Sequence, residues 1–265
     1  MGDQLFFIEQ NKDAQETIIF LHGVFSSSTE FAAAARSISN AYHLLILDFP
    51  GHSNSKHIPL TNLPNLVALV SEFIASHAYG GKAHLVGLSF GAYISLSVAA
   101  AHPEQILSVF ATGASTSFKG MFGAAIPYLA YGLLTPIHFI PGLMSRIASI
   151  DGLVLDAEFL AEMSRNTTWA NSKHAYGMLT GEYKLAPVTP RTLFIAGSKG
   201  DPLDTLGDAE KILKEGNEES KVVIAMGMPH GWDCKAPDVF GKAVEAWIKR
   251  ETLPTEIVAF SEWSR

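Results

Sequence analysis

The pentapeptide Gly87-Leu88-Ser89-Phe90-Gly91 constrains the fold of this chain more than any other feature of its sequence. The apolar run Ala83–Val86 before it is typical of a buried strand, and the small, apolar stretch Phe90–Ala101 after it is typical of a helix. A serine on such a strand-to-helix turn is held in strained backbone geometry, and its hydroxyl projects above the sheet. The flanking glycines let strand and helix approach closely, since a Cβ at either position would clash. We therefore predict that Ser89 is a nucleophile.

Apolar, β-branched-rich runs alternate with helical patterns along most of the chain, which predicts an α/β fold with a mostly parallel, doubly wound sheet. The predicted strands are Thr17–Leu21, His43–Leu47, Ala83–Val86, Ile106–Ala111, Thr192–Ala196 and Val222–Ala225, with Leu5–Ile8 as an added edge strand. The predicted helices are Ser28–Ser39, Leu63–Ser76, Phe90–Ala101, Asp204–Glu215 and Pro237–Lys249.

The alternation is interrupted once, between Ile106–Ala111 and Thr192–Ala196. This stretch shows no clear strand, is far longer than a crossover needs, and is rich in Phe, Tyr, Met, Leu and Trp. It predicts a helical cap inserted into the fold. We accordingly assign residues 1–114 and 188–251 to the core, 115–187 to the cap and 252–265 to a C-terminal tail.

Composition and charge indicate which partners and which cellular compartment to expect. The 265 residues are 48% hydrophobic and 17% charged, as expected for one globular domain with an insertion. A net charge of −7 without a dense Lys/Arg cluster argues against nucleic acid as a partner. The single cysteine, Cys234, and the absence of a signal-like N-terminus lead us to expect a cytoplasmic protein. No dinucleotide-binding or metal-ligating motif is present, so we expect no cofactor and no metal.

Residues 120–145 contain no Asp, Glu, Lys or Arg. Such a length could span a bilayer, but its prolines and glycines break a continuous helix, so we expect no membrane span. We predict that the segment lines a pocket for a lipophilic small molecule beneath a mobile lid, with an exposed patch used for dimerisation or membrane contact as the alternative. The predicted substrate-binding residues are Phe25, Phe122, Tyr128, Tyr131, Phe139 and Met144.

A serine hydroxyl needs a base in contact, and the base needs an orienting carboxylate. His230 lies in the loop after the last predicted strand, at the carboxyl edge where the active crevice of such sheets forms. Asp201 lies in the loop after Thr192–Ala196 and is our predicted acid. The nearby Asp204 is the alternative, although its position predicts a helix cap.

The negative charge that develops during acyl transfer needs two hydrogen-bond donors. One is the predicted backbone N–H of Phe90, directly after the nucleophile. The other is predicted in the tight turn after Thr17–Leu21, at the N–H of Val24, with Phe25 as the alternative.

These motifs together resemble the α/β-hydrolase superfamily, in its serine-nucleophile branch with an inserted helical cap. The resemblance rests on Leu21–Val24, Asp48–Ser53, the Ser89 turn and the loops of Asp201 and His230. It implies Ser89 as nucleophile, Asp201 as acid and His230 as base. The acid loop departs from the usual G-x-x-D pattern, because Gly197 to Asp201 holds one extra residue.

The resemblance implies a hydrolase that cleaves an ester or related acyl bond of a lipophilic small molecule. Two alternatives remain open on the sequence. The same triad serves carbon–carbon bond hydrolases, lyases or cyclases of secondary metabolism, and the same fold serves non-catalytic small-molecule receptors.

Overall fold

An eight-stranded sheet forms the centre of the molecule, with the strand order β1-β3-β2-β4-β5-β6-β7-β8. A computed structural model describes residues 4–117, 125–138, 140, 142–150, 152, 153, 155 and 157–263. The strands are β1 (Phe7–Gln10), β2 (Thr17–Leu21), β3 (His43–Leu47), β4 (Ala83–Leu88), β5 (Ile106–Thr112), β6 (Thr192–Lys199), β7 (Lys221–Pro229) and β8 (Ile257–Ala259). The pairs β1–β3 and β7–β8 are antiparallel, and the other neighbours are parallel. The predicted α/β fold class is confirmed.

Helices cover both faces of the sheet. They are α1 (Ala32–Ala35), α2 (Leu63–His77), α3 (Phe90–Ala101), α4 (Ile126–His138), α5 (Leu143–Ile150), α6 (Ala157–Asn166), α7 (Trp169–Gly177), α8 (Leu206–Gly216), α9 (Trp232–Lys235), α10 (Pro237–Lys249) and α11 (Phe260–Trp263). The central strands are buried on both faces, and successive residues enter opposite cores. In β2, for example, Ile18 and Phe20 pack into one apolar cluster, whereas Ile19 and Leu21 pack into the other.

The parallel strands bring distant loops to one edge of the sheet. His22 follows β2, Asp48 follows β3, Ser89 follows β4, and the loops of Asp201 and His230 come from β6 and β7. Because the carboxyl ends of parallel strands share an edge, residues far apart in sequence meet there.

The stretch between β5 and β6 is helical where it is described, and it carries α4 to α7. Two buried asparagines tie it to the core. Asn166 donates from Nδ2 to the Ser26 carbonyl (2.8 Å) and accepts from the Ser53 N–H (2.7 Å). Asn171 donates from Nδ2 to the Gly51 carbonyl (2.8 Å). The end of α6 and the start of α7 are therefore fixed to the loops at the carboxyl edge.

The C-terminal stretch is more ordered than the predicted tail. Residues Ile257–Ala259 form β8, which pairs antiparallel with β7, and α11 follows directly. The run is only three residues long, too short for a strand signal in the sequence. No helix within the described ranges has the length and apolarity that crossing a membrane requires.

Candidate active site

Ser89 sits on the turn between β4 and α3 with φ 52° and ψ −117°. Its N–H donates to the Thr112 carbonyl on the neighbouring strand (2.8 Å). A Cβ on Gly87 would lie 2.3 Å from the Gly91 carbonyl oxygen, and a Cβ on Gly91 would lie 1.8 Å from the Leu21 carbonyl oxygen. Both glycines of the pentapeptide are therefore required, because strand, turn and helix leave no room for a side chain.

His230 and Asp201 meet above the carboxyl ends of β7 and β6. The His230 ring Nδ1 lies 2.5 Å from Asp201 Oδ1, and Asp201 Oδ2 accepts the N–H of Gly197 (2.7 Å). The side chain of Asp201 is 1% exposed and that of His230 is 48% exposed. A carboxylate in this position holds the ring proton on Nδ1, which leaves Nε2 free to act as a base.

Electrostatics favour a basic imidazole at His230. Partial withdrawal from water lowers the pKa of His230. The hydrogen bond that its ring donates to Asp201, and the negative charge of that carboxylate, raise the pKa more. The buried Asp233 adds to the effect, and the net pKa of His230 lies above its ordinary value.

The extra residue in the acid loop is absorbed within the strand. The register between β6 and β7 shifts between Gly197 and Lys199, and Gly200 takes φ 103°. This irregularity delivers Asp201, not Asp204, to His230. The predicted capping role of Asp204 is wrong: Thr205 holds the position before α8, without a side-chain cap, and Asp204 is exposed beside it.

The two predicted oxyanion donors come from two loops, one after β4 and one after β2. Phe90 is the first residue of α3, where backbone N–H groups have no partner within the helix. In the turn after β2, the N–H of Gly23 donates to Glu30 (2.7 Å) and that of Phe25 donates to His52 Nε2 (3.2 Å). Val24 lies between them, so the geometry favours Val24 over Phe25 as the second donor.

Two buried histidines hold this turn, residues His22–Ser26, which we call the oxyanion turn. His22 contacts the Gly23 carbonyl through Nδ1 (2.7 Å) and accepts the Phe49 N–H at Nε2 (3.0 Å). His52 contacts the Pro50 carbonyl through Nδ1 (2.9 Å). Burial lowers the pKa of His22 to about 4 and that of His52 to about 3, so both rings are neutral supports.

Asp48 fixes the part of the loop that follows the oxyanion turn. It accepts the Ser28 N–H at Oδ1 (2.6 Å) and two Asn54 donors at Oδ2 (3.0 and 3.1 Å). Its carboxylate is buried and fully engaged with loop backbone and side chain.

Two cavities open beside Ser89 and His230. The first, of about 280 Å³, is lined mainly by apolar side chains, which are Phe25, Leu153, Leu155, Phe159, Met163 and Tyr176. The second, of about 550 Å³, has more polar groups, including Tyr93, Ser115, Ser117 and Thr205. The reacting residues thus face an apolar cavity on one side and a more polar one on the other.

The structure brings Phe25 to the apolar cavity but places Tyr128, Tyr131 and Met144 elsewhere. Tyr128 is 66% exposed and packs on Trp169 (ring centroids 4.7 Å apart), and Tyr131 packs on the same indole (5.9 Å). Met144 is half-buried in α5 and lines neither cavity beside Ser89. Phe122 and Phe139 lie outside the described residues.

Sequence reasoning missed the residues that line the apolar cavity from the cap, and it missed Gly113. A Cβ on Gly113 would lie 2.7 Å from Cε1 of His230, so only glycine leaves space for the ring. The spacing of Phe159 and Met163, four residues apart on α6, is the amphipathic signal that could have found the cavity lining.

A serine turn, a carboxylate–imidazole pair and a cap on a mostly parallel eight-stranded sheet define the class of α/β hydrolases. The sequence profile described as "Alpha/beta hydrolase family" matches residues 18–243. The chain therefore belongs to the alpha/beta hydrolase family.

Relatives agree with this assignment. The chain is 27% identical over 258 residues to an "AB hydrolase superfamily protein" of Gibberella zeae, covering 96% of this chain and 87% of the relative. It is 24% identical over 234 residues to a 2-hydroxy-6-oxononadienedioate/2-hydroxy-6-oxononatrienedioate hydrolase of Burkholderia vietnamiensis, covering 86% and 80%. The fold is similar to that of a thermophilic esterase from Thermogutta terrifontis, with a TM-score of 0.74, 14% identity and 93% of each chain covered. The family and these relatives support a hydrolase enzyme.

Proposed function

We propose that this protein is a serine hydrolase that cleaves an ester or related acyl bond of a lipophilic small molecule. The observation that carries the proposal is the contact between His230 Nδ1 and Asp201 Oδ1 (2.5 Å), beside cavities that Ser89 and His230 both line. The apolar lining of the smaller cavity supports a lipophilic substrate.

The proposed reaction begins when Ser89 Oγ attacks the carbonyl carbon and His230 Nε2 takes its proton. Asp201 stabilises the imidazolium through Nδ1–H, and the N–H groups of Val24 and Phe90 stabilise the oxyanion. His230 then returns the proton to the leaving alkoxide. Water, deprotonated by the same imidazole, releases the acid from the acyl-enzyme.

Carbon–carbon bond hydrolysis is a second candidate, favoured by the similarity to the Burkholderia vietnamiensis hydrolase. It uses the same residues on a ketone with a stabilised carbanion as leaving group. Parallel assays with short p-nitrophenyl esters and with a 2-hydroxy-6-oxo-dienoate separate the two candidates. Turnover of neither substrate class, together with saturable binding of a lipophilic ligand, would favour the receptor alternative.

Replacing Ser89 by alanine tests the proposed nucleophile. We expect Ser89→Ala to lose about three or more powers of ten in kcat, because nucleophile and base act as a unit. A fluorophosphonate probe should label wild type at Ser89 and leave the variant unlabelled.

The control is Ser97→Ala, a half-buried serine on the far part of α3 whose hydroxyl donates to the Tyr93 carbonyl. This variant should keep both activity and labelling. Full activity of a folded Ser89→Ala protein would exclude covalent serine catalysis.

A further inference from the structure

Two buried carboxyl groups beside the candidate site have no part in the proposed reaction. Glu30 lies in the short turn Ser28–Phe31, and Asp233 lies in α9, three residues after His230. The turn packs against α9. Glu30 is 9% exposed and Asp233 is 1% exposed. Burial of two acids on elements that pack against each other is costly unless something compensates for their charge.

Glu30 supports the backbone that carries the oxyanion donor. Its Oε2 accepts the Gly23 N–H (2.7 Å), directly before Val24. A Cβ placed on Gly23 would lie 3.5 Å from Glu30 Oε1 and 3.7 Å from Ser89 Cβ. The Glu30 carboxyl therefore lies under the oxyanion turn and also lines the apolar cavity next to Ser89.

Asp233 has an oxygen that lacks a donor. Among the described residues, no group donates to its buried Oδ1, whereas Oδ2 accepts a hydrogen bond from Cys234 Sγ (3.5 Å). A buried carboxylate oxygen without a donor is strongly unfavourable. An acid proton on Glu30 supplies a donor on the side from which the Ser28–Phe31 turn packs against α9.

We propose that Glu30 is a positioning residue of the oxyanion turn, and that it holds the Gly23 N–H as a protonated acid whose proton is shared with the Asp233 carboxylate. Burial and the neighbouring Asp233 charge raise the pKa of Glu30 well above its ordinary value, and burial also raises the pKa of Asp233. At neutral pH the pair then carries one proton and one negative charge.

The surrounding titratable groups leave this proton in place. The groups on the elements packed against Glu30 are His22 after β2, Asp48 after β3, and Asp233, Cys234 and Lys235 on α9, with His230 beside them. His22 is neutral above about pH 4, and the Asp48 oxygens are engaged by Ser28 and Asn54. Lys235 Nζ contacts the Gly227 carbonyl (3.3 Å). None of these titratable groups neutralises the second carboxylate charge, so in the proposal the shared proton does.

Raising the pH removes the shared proton to solvent. The two carboxylates then repel each other, and Glu30 moves away from the Gly23 N–H. The neighbouring Val24 N–H then no longer points at the position of the oxyanion. Glutamine at position 30 reproduces the protonated acid. Its amide oxygen accepts from Gly23 and its NH2 group donates to Asp233, with no proton to lose.

The kinetic test, which rests on the proposed function, compares Glu30→Gln with Glu30→Ala. Wild type should lose kcat as rising pH removes the shared proton, and Glu30→Gln should keep its kcat over the same pH range, with little change in KM. Glu30→Ala, which lacks the acceptor, should lose at least about tenfold in kcat at every pH.

Glu218→Gln, which removes an exposed carboxyl, is the control and should follow wild type. Coincident pH profiles of kcat for wild type and Glu30→Gln, or full kcat in Glu30→Ala, would overturn the proposal.

A second readout does not depend on activity and uses the Ser89→Ala background. A carboxyl whose folded pKa is raised keeps a proton that the unfolded chain releases above about pH 4.3. Stability conferred by that proton is complete at low pH and declines as the pH rises towards the folded pKa. The Tm advantage of Glu30→Gln should therefore grow as the pH rises above about 4.3.

A Tm difference between Glu30→Gln and its Ser89→Ala parent that does not change with pH would contradict the proposal that Glu30 and Asp233 share a proton. A growing difference in a protein that turns over no ester would instead refute the proposed function and leave the proton pair standing.

Discussion

At the scale of single residues, Asp201 is the acid that the structure brings to His230. Both of its oxygens are engaged, one by the imidazole and one by the Gly197 N–H, and the side chain is almost fully buried. Asp204 lies exposed in the same loop and lines the more polar cavity. The two carboxylates therefore differ in environment although they are three residues apart.

We expect Asp201→Asn to lose about four powers of ten in kcat, because the amide favours the wrong tautomer of His230. Asp204→Asn is the matched control and should lose less than about threefold. The acid limb of kcat/KM in wild type should lie above pH 6.5, since the pKa of His230 is raised and only its neutral form is a base. A greater loss in Asp204→Asn than in Asp201→Asn would reassign the acid.

The sequence singles out the three proposed catalytic residues because each lies in a local pattern. Ser89 is flanked by glycines, and His230 and Asp201 each follow a predicted strand. Glu30 and Asp233 carry no such pattern. Their role depends on a contact between the Ser28–Phe31 turn and α9, which are distant in sequence, so only the fold reveals it.

At the scale of elements, the buried strands were predictable because parallel strands covered on both faces are continuous apolar runs. Their ends were not. For example, β6 continues through Gly197 and Ser198, which are residue types common in turns, to Lys199. It does so because β7 offers backbone partners there. The predicted helix Ser28–Ser39 is in fact a short turn followed by α1, since four consecutive alanines are all that carry the helix.

The cap shows the opposite limit of sequence reasoning. Aromatic content alone predicted Tyr128 and Tyr131 as pocket residues, but both side chains pack on Trp169. Phe159 and Met163 on α6 line the cavity instead. The aromatic composition of the stretch predicts a cap. Which of its side chains line the cavity depends on how each helix is oriented.

We expect Phe159→Ala to enlarge the 280 Å³ cavity and to raise kcat/KM for bulky acyl esters relative to acetate by about tenfold. Tyr128→Ala removes an aromatic ring from the same cap outside the cavity and should leave this ratio unchanged. The measurement is kcat/KM for a series of p-nitrophenyl esters of increasing acyl size, with Tm as a check on folding. A changed ratio in Tyr128→Ala alone would restore the original prediction for that residue.

At the scale of the whole molecule, the carboxyl edge of the sheet concentrates groups with opposite responses to acid. His230 has a raised pKa, whereas the pKa values of His22 and His52 are about 4 and about 3. All three lie within the loops that follow β2, β3 and β7. Activity and folding stability therefore respond to pH over different ranges.

Below about pH 6.5 the unfolded chain protonates His22 and His52, whereas the folded chain keeps both rings neutral until about pH 4 and about pH 3. Their contribution to the free energy of unfolding is complete above pH 6.5 and falls by about 1.4 kcal/mol per pH unit for each ring as the pH drops. The pKa of His230 lies above its ordinary value, so in the folded chain its ring gains a proton at a higher pH than the rings of His22 and His52.

His230 gains its proton before the two buried rings do. Mild acid is therefore expected to stop turnover while the protein stays folded. We expect the activity lost as His230 gains its second ring proton to return in full on neutralisation, with an unchanged near-UV circular dichroism spectrum throughout. Loss of the spectrum together with activity would contradict this expectation. A protein built in this way can pass through a mildly acidic environment as a dormant, intact molecule and resume turnover on leaving it.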